Sequence, residues 1–372
     1  MSEPALSICH VDTARTWRGG QAQIWGLVRG LAARGHQSVV FAPPGPLAER
    51  LTSAGLCWKS FSAANDLDAW SAWRLSRAFT RIRPDLVHLH SGRAHAVGAW
   101  AAGAAGSLPV VVSRRVDFEV SGAASRRWKY GRGVDRFLCI SEGVRRVLLG
   151  AGIDARRLAV VPSGIEIGRW ASLPDPAPLR RRLGIAEGIP ILGTVAALAP
   201  HKDLFNLLAA AERLAQQRPQ ARWVVFGEGE LRGRLEADRR ERGLDQRVLF
   251  PGFTEDVGEA LALMDVFVLS SYLEGLGTSV LDAQAAGVPV VATAAGGVPE
   301  LIEDGVTGWL VPPKDPEALS RAVADALAHP DEATRRAGRA KQTVQRFSLE
   351  STVERTLAVY REVIAERGRC GS

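Results

Sequence analysis

Acidic residues, glycines and hydroxyls stand between two apolar runs in the stretch YLEGLGTSVLDAQAAGVPVVAT, residues 272–293. The run before it (DVFVLSS, 265–271) and the run that ends it (VPVVAT, 288–293) are typical of buried strands, so the whole predicts a β-α-β unit. The polar residues then follow the carboxyl end of the first strand, where open parallel sheets bind their ligands. The spacing of Glu274 and Asp282 would allow the two acids to hold two sugars of one nucleotide-sugar.

The residues between the two acids favour an anion site. Gly275 and Gly277 let a ligand approach the backbone closely, and Thr278 and Ser279 could cap the helix that follows. The free N–H groups and the dipole of a helix N-terminus suit a phosphate or pyrophosphate. The same residues also fit an ordinary capped helix with Asp282 as a surface acid.

Strand and helix patterns alternate along the 372 residues, which are 46% hydrophobic and 23% charged. Three prolines within residues 174–178 indicate a linker, after which the alternation restarts. We therefore expect an α/β protein with two doubly wound, Rossmann-like domains facing each other across a cleft.

Charge and cysteine content narrow the class of protein. The net charge of +7 suits an anionic partner, but no nucleic-acid module accompanies it, so we expect no nucleic-acid partner. The four cysteines are scattered without a CxxC pair, which indicates a reducing compartment, no disulfide framework and no cysteine metal site. The first residues show no secretion signal, so we expect a cytoplasmic protein.

The stretch SSYLEGLGTSVLDAQAAGVPVVATAAGGVPELIEDGVTGWLVPPKDPEAL (270–319) resembles the nucleotide-sugar signature of retaining glycosyltransferases of family 4. The resemblance extends to HVDTARTWRGGQAQIWGLVRGLAARGHQSVVFAP near the start and to CISEGVRRVLLGAGI, VVPSGIE, GTVAALAPHKDLFNLLAA and VVFGEGELRGRL. It implies the GT-B fold with an acceptor domain (1–170), a donor domain (176–345) and a final helix (346–372) that crosses back to the first domain.

The resemblance also implies roles for residues on the donor side. Glu274 would contact hydroxyls of the donor sugar, Asp282 would bind the ribose in place of the family's glutamate, and Lys202 would neutralise the leaving diphosphate. Ala197 stands where the family usually has an arginine. Backbone N–H groups to the sugar and diphosphate would come from a glycine-rich set: Gly19, Gly20, Gly275, Leu276, Gly277, Thr278 and Ser279. The loops at 227–230 and 253–255 would flank the base.

The implied reaction is transfer of a sugar from a nucleotide-diphosphate donor with retention of configuration, without metal or cofactor and without a covalent intermediate. The implied acceptor is a glycan or lipid-linked sugar of envelope polysaccharide or lipopolysaccharide synthesis. Two alternatives remain open from the sequence: a nucleotide-sugar epimerase, and a non-catalytic nucleotide-sugar-binding protein. Ala197 and Asp282 are the features that keep the second alternative open.

Acceptor or phosphate contacts are expected from loops that follow two predicted strands of the first half, DLVHLH and LPVVVS. The candidates are Arg93, His95, Arg114, Arg115 and Asp117. The strand-end histidines His88 and His90 are either hydrogen-bonded within the fold, which is favoured, or metal ligands.

Two further segments have competing interpretations. The basic, aromatic stretch SGAASRRWKYGRGVDR (121–136) suits an anionic membrane surface, which would attach the protein peripherally to the inner face of the cytoplasmic membrane, or a phosphorylated acceptor. A solvated loop is the alternative. Asp66-Leu67-Asp68 resembles a metal-binding DxD motif, but helix capping is favoured because a helical run follows.

Overall fold

The computed structural model describes residues 4–116, 130–131 and 133–370. The chain divides into two compact units. Unit 1 comprises Met1–Gly164 together with Leu349–Ser372, and unit 2 comprises Ile165–Ser348. Each unit has its own parallel sheet with associated helices, so the predicted α/β class with two doubly wound domains is confirmed.

In the described part of unit 1, seven parallel strands are joined in the order β3-β2-β1-β4-β5-β6-β7. The chain order reverses between β1 and β4, which makes a switch point at their carboxyl ends. The strands are β1 (Ser7–Val11), β2 (Gln37–Ala42), β3 (Cys57–Ser60), β4 (Leu86–Leu89), β5 (Val110–Arg114), β6 (Arg136–Cys139) and β7 (Leu158–Val160). The helices between them are α1 (Gly19–Ala32), α2 (Pro46–Ser53), α3 (Ala69–Ile82), α4 (Gly92–Ala104) and α5 (Glu142–Gly150).

The sheet of unit 2 repeats this arrangement with six parallel strands in the order β10-β9-β8-β11-β12-β13. Its switch point therefore lies between β8 and β11. The strands are β8 (Ile191–Val195), β9 (Arg222–Phe226), β10 (Val248–Gly252), β11 (Val266–Leu269), β12 (Val290–Thr293) and β13 (Trp309–Val311). The helices are α6 (Ala177–Arg182), α7 (Leu204–Gln217), α8 (Arg232–Glu241), α9 (Val257–Leu263), α10 (Thr278–Ala286), α11 (Pro316–Ala328) and α12 (Pro330–Thr343).

The last helix, α13 (Leu349–Cys370), belongs to unit 1. It packs against α1 at two glycines: a Cβ on Gly26 would lie 2.7 Å from Leu349, and one on Gly30 would lie 2.5 Å from Val353. Both distances are too short for a real side chain, so glycine at these positions is what allows the two helices to meet.

The chain passes from unit 1 to unit 2 between Gly164 and Ile165. The sequence placed this boundary at about 170–176, but the proline-rich stretch there lies inside unit 2. The difference comes from Trp170, which is buried in a 3₁₀ turn (Ile167–Trp170) that contacts α10. A large buried side chain starts the second core before the prolines are reached.

Helix capping decides the role of the DxD-like residues. Asp68 is the N-cap of α3, and its carboxylate accepts hydrogen bonds from the backbone N–H groups of Ala64 and Ser71 at 2.9 Å. It also accepts one from the Ser71 hydroxyl. These contacts confirm the capping interpretation, because they occupy the carboxylate with the local backbone.

Candidate functional site

A lysine and a glutamate meet at the switch point of unit 2. Lys202 ends a 3₁₀ turn (Pro200–Lys202) after β8, and Glu274 lies in the loop after β11. The Lys202 Nζ and Glu274 Oε2 atoms are 2.5 Å apart, and the side chains are 15% and 13% exposed. The Ser271 hydroxyl donates to the same Glu274 oxygen at 3.1 Å. The pair is therefore held in place but still reaches solvent.

Hydrogen bonds between the loop after β8 and the loop after β11 fix this pair. The Ser270 hydroxyl donates to the carbonyl oxygen of Lys202 at 2.8 Å, and the Tyr272 N–H donates to the carbonyl of His201 at 3.0 Å. Both bonds join residues about 70 positions apart in the chain. The geometry of the lysine and glutamate is thus set by the sheet that brings β8 and β11 side by side.

Helix α10 begins four residues after Glu274 and has no side-chain cap. Its N-cap is Gly277, which has a left-handed φ of +94°, and its first turn contains no acidic residue. The expectation that Thr278 and Ser279 cap this helix is wrong, because both are already helical and a capping side chain must come from the residue before the helix. The N–H of Val280 donates to the carbonyl of Gly277 at 2.9 Å, and the N–H groups of Thr278 and Ser279, at the very start of the helix, are suited to bind an anion.

Asp282 lies on α10, one turn beyond that N-terminus, in surroundings that the sequence did not predict. Arg169 and the indole of Trp170 lie close to its carboxyl group. The carboxyl keeps some solvent contact but is densely surrounded by protein, and this desolvation raises its pKa to about 7, against the opposing effects of Arg169 and Trp170.

The loops that the sequence assigned to the base follow β9 and β10. Gly227 has a φ of +140°, and a Cβ there would lie 1.9 Å from the carbonyl oxygen of Ala196; one on Gly229 would lie 2.4 Å from the carbonyl of Leu198. The loop after β9 thus lies directly on the loop that leads to Lys202. Phe253, after β10, is 62% exposed.

Gly19 and Gly20 form the start of α1, near the carboxyl end of β1 in unit 1. The N-cap residue Arg18 makes no side-chain cap hydrogen bond, so this helix also starts without a side-chain cap. A Cβ on Gly20 would lie 3.9 Å from Cδ of Arg115. The switch point of unit 1 therefore combines a glycine helix start with a nearby arginine.

Three buried histidines form a hydrogen-bonded network at this switch point. His10 on β1 and His90 after β4 are joined by their Nδ1 and Nε2 atoms at 3.0 Å, and His90 Nδ1 accepts from the Arg115 guanidinium at 3.0 Å. His88 Nδ1 meets the Tyr360 hydroxyl at 2.5 Å, and its Nε2 meets the Ser113 hydroxyl at 2.8 Å. Sequence reasoning missed His10, although it stands with Asp12 in the apolar, strand-like run ALSICHVD (5–12).

The Arg115 cation in this network favours hydrogen bonding over metal binding. Burial lowers the pKa of all three histidines, that of His10 to about 3, and Arg115 lowers them further. The ring nitrogens are close enough together for one ion, but the Arg115 cation already bonds to His90. The favoured interpretation of His88 and His90 as strand-end histidines bonded within the fold agrees with this geometry.

The acceptor candidates are placed differently from one another. Arg93 is exposed and donates to the carbonyl of Ala63 at 3.1 Å, and half-buried Arg114 donates to the Tyr130 hydroxyl at 3.0 Å. His95 is buried against the ring of Tyr130, and Arg115 belongs to the histidine network. Asp117 and most of the basic stretch 121–136 lie outside the described residues.

The described helices include none that combines the length and apolarity needed to cross a bilayer.

At the switch point of unit 2, a lysine, a glutamate and an uncapped helix start converge. A cation next to open N–H groups suits a diphosphate, and carboxylates suit sugar hydroxyls.

Comparisons with known proteins cover nearly the whole chain. The family model described as glycosyl transferases group 1 matches residues 177–343, and the model described as Glycosyltransferase Family 4 matches residues 17–169. The 2-deoxystreptamine N-acetyl-D-glucosaminyltransferase of Streptomyces fradiae is 29% identical, over 98% of this chain and 97% of its own. The lipopolysaccharide core biosynthesis glycosyltransferase LpsE of Rhizobium meliloti is 29% identical over 69% of this chain and 72% of its own.

Solved structures share the fold. The crystal structure of Anabaena Alr3699/HepE in complex with UDP and glucose superimposes with a TM-score of 0.86 at 22% identity, over 96% of this chain and all of that chain.

Proposed function

The chain belongs to the glycosyltransferases of family 4, and from that premise we propose that it moves a sugar from a nucleotide-diphosphate donor to a glycan or lipid-linked acceptor, with retention of configuration. The observation that carries the donor assignment is the Lys202–Glu274 pair beside the uncapped start of α10. Complexes of the Anabaena neighbour with UDP and with UDP-glucose support a nucleotide-sugar donor.

Lys202 and Glu274 divide the work on the donor in this proposal. Lys202 stabilises the negative charge that develops on the leaving diphosphate, together with the N–H groups at the start of α10. Glu274 accepts hydrogen bonds from hydroxyls of the transferred sugar. Without donor, each holds the other in place through their ion pair, so binding exchanges one set of charge contacts for another. These residues perform the work without a metal or cofactor.

Asp282 binds the ribose in this proposal, one turn along the helix that holds the diphosphate. Ala197 supplies no second cation to the leaving group, so Lys202 carries more of this charge stabilisation than in relatives that have an arginine there. The same alanine favours a second candidate function, a protein that binds a nucleotide-sugar but transfers nothing.

The acceptor belongs to envelope polysaccharide or lipopolysaccharide synthesis in this proposal. LpsE of Rhizobium meliloti, by its name a lipopolysaccharide core biosynthesis glycosyltransferase, supports that assignment. Arg93 and Arg114, which keep solvent contact in unit 1, are the residues proposed to meet an acidic or phosphorylated acceptor.

The test combines ligand binding with turnover. UDP-, GDP- and ADP-sugars are added to the wild type, to Lys202→Met and to Glu274→Gln, with exposed Glu303→Gln as the control. A donor at about a hundred times its dissociation constant should add about 2.7 kcal/mol to the free energy of unfolding of the wild type and the control. Both site variants should lose most of that gain, whatever their own stability without ligand.

Release of nucleoside diphosphate, measured with a panel of lipid-linked and oligosaccharide acceptors, decides between the two candidate functions. Stabilisation with turnover supports the transferase. Stabilisation by donor without turnover on any acceptor supports the binding protein, and no stabilisation by any nucleotide-sugar contradicts both.

A further inference from the structure

Large apolar side chains are exposed at the start of helix α3 in unit 1. Leu67, Trp70 and Trp73 are 70%, 65% and 49% exposed. The two indole rings stack on each other, with their centroids 4.8 Å apart. The opposite face of the same helix is buried through Leu75 and Phe79, so α3 does not need these tryptophans for its own core.

Arginines continue the exposed face toward the end of the helix. Trp70, Arg74, Arg77 and Arg81 recur at intervals of three and four residues, which places them along one side, and all four are exposed. The Arg77 guanidinium lies 5.3 Å from the centroid of the Trp73 ring. The helix AWSAWRLSRAFTRI contains no acidic residue, so this face is apolar at one end and positively charged at the other.

Acidic residues lie near both ends of helix α3. Asp85, three residues beyond its last residue, accepts a hydrogen bond from the backbone N–H of Ser7 at 2.8 Å. Asp66 and Asp68 precede the helix, and the carboxylate of Asp68 is occupied by its capping hydrogen bonds. They are separated from Arg77 and Arg81 by two or more helical turns. The positive charge of the second half is therefore not neutralised within the helix.

We propose that this face docks unit 1 onto a membrane surface rich in anionic phospholipid. The docking face consists of Leu67, Trp70, Trp73, Arg74, Arg77 and Arg81. Tryptophan is enriched at the membrane–water interface, where its ring lies among the headgroups and its N–H stays wet. Arginines on the same helix bind lipid phosphates, and the two signals together give stable peripheral binding.

The charge of the docking face argues for lipid over a second copy of the chain. Two such faces brought together would place six arginines in contact with no acid within either helix to pair them. A lipid surface offers fixed negative charge to every arginine at once, and the net charge of +7 adds long-range attraction.

The test measures binding to vesicles and needs no turnover, so it stands apart from the donor and acceptor assignments. The full chain is sedimented with phosphatidylglycerol vesicles and with phosphatidylcholine vesicles at 0.1 M salt. We expect the wild type to bind the first and to stay in solution with the second. Trp70→Ser with Trp73→Ser should abolish the binding, because the interfacial anchor is lost while no buried side chain changes.

Arg77→Glu with Arg81→Glu tests the electrostatic part of the docking face. We expect the partition coefficient to fall by at least about 25-fold, since each arginine near an anionic surface contributes about fivefold. The matched control is Arg335→Glu with Arg339→Glu, which makes the same charge change at the same spacing on an exposed face of α12 in unit 2. The control should lose much less binding.

Three results would overturn the proposal. The wild type could fail to bind phosphatidylglycerol vesicles, or both arginine pairs could have equal effects, which would indicate attraction by net charge alone. A concentration-dependent dimer that the tryptophan substitutions abolish, with no vesicle binding, would assign the face to a second copy of the chain.

Discussion

At the scale of single residues, Asp282 shows how the fold changes the chemistry of a side chain. In the sequence it is one acid on a predicted helix. In the structure, burial beside Arg169 and Trp170 raises the pKa of its carboxyl from 3.8 to about 7. The desolvation of the charged form outweighs the favourable arginine and indole contacts.

This pKa gives a prediction for stability against pH. Between about pH 4 and pH 7 the native protein keeps a proton on Asp282 that the unfolded chain releases, so this residue makes the free energy of unfolding fall as pH rises. Asp282→Asn removes that dependence. The stability of the variant minus that of the wild type should therefore grow from pH 4.5 to pH 8, by on the order of 2–4 kcal/mol.

Urea unfolding at several pH values measures this difference, with exposed Asp331→Asn as the control. The buried histidines act in the opposite direction, since their lowered pKa values make acid destabilising. They are present in all three proteins and cancel in the difference. A difference that does not change with pH would contradict the assigned environment of Asp282.

At the scale of elements, the donor-side loops depend on close backbone contact between neighbouring βα units. Gly227, after β9, has a left-handed φ and lies against the carbonyl of Ala196, after β8. That second loop leads to Lys202. The contact therefore couples the loop assigned to the base with the loop that carries the lysine.

Gly227→Ala should disrupt this contact. The new methyl group would meet a backbone oxygen at 1.9 Å, and alanine disfavours the observed φ of +140°. We expect a loss of about 3 kcal/mol or more from the free energy of unfolding. Gly233→Ala in α8 is the matched control, because no atom outside the backbone of its own helix lies within 4 Å of the added Cβ. This substitution should raise the free energy of unfolding by up to about 1 kcal/mol. Equal effects of the two substitutions, measured by denaturant unfolding, would contradict the close approach.

At the scale of the whole molecule, unit 1 is completed by residues from the far end of the chain. Helix α13 buries five apolar side chains in the core of unit 1: Val353, Leu357, Val359, Tyr360 and Val363. The Tyr360 hydroxyl also bonds to His88. The histidine network and the C-terminal helix thus support the same sheet, although more than 260 residues separate them in the chain.

Removal of α13 should act on unit 1 alone. A chain that ends at Ser348 loses five buried apolar side chains worth about 1.5–3 kcal/mol each, which is comparable to the whole stability of a domain. Hydrogen exchange should become fast throughout β1 and β4 and stay slow in β8 and β11.

A chain that ends at Gly368 is the control, because it lacks only residues 369–372, which follow an exposed turn of helix α13. It should exchange like the full chain. Slow exchange in β1 and β4 after removal of the whole helix would show that unit 1 folds without it.

The sequence by itself determined the two-domain α/β class and the strands and helix around residues 265–293. These features depend on local signals: apolar runs of strand length, glycines at loop positions, and the spacing of polar residues within one βα unit. The choice of Glu274 and Lys202 as site residues came from the resemblance to family 4 and stays a prediction. The capping role of Asp68 was likewise local and could be predicted.

The tertiary structure alone decided which distant residues meet. The sheet order brings β8 beside β11 and β1 beside β4, so it sets the lysine–glutamate contact and gathers the three histidines around Arg115. It also placed Trp170 against Asp282, moved the domain boundary ahead of the prolines and left the start of α10 uncapped. Burial and long-range packing create these environments, and neither is encoded in the spacing of neighbouring residues.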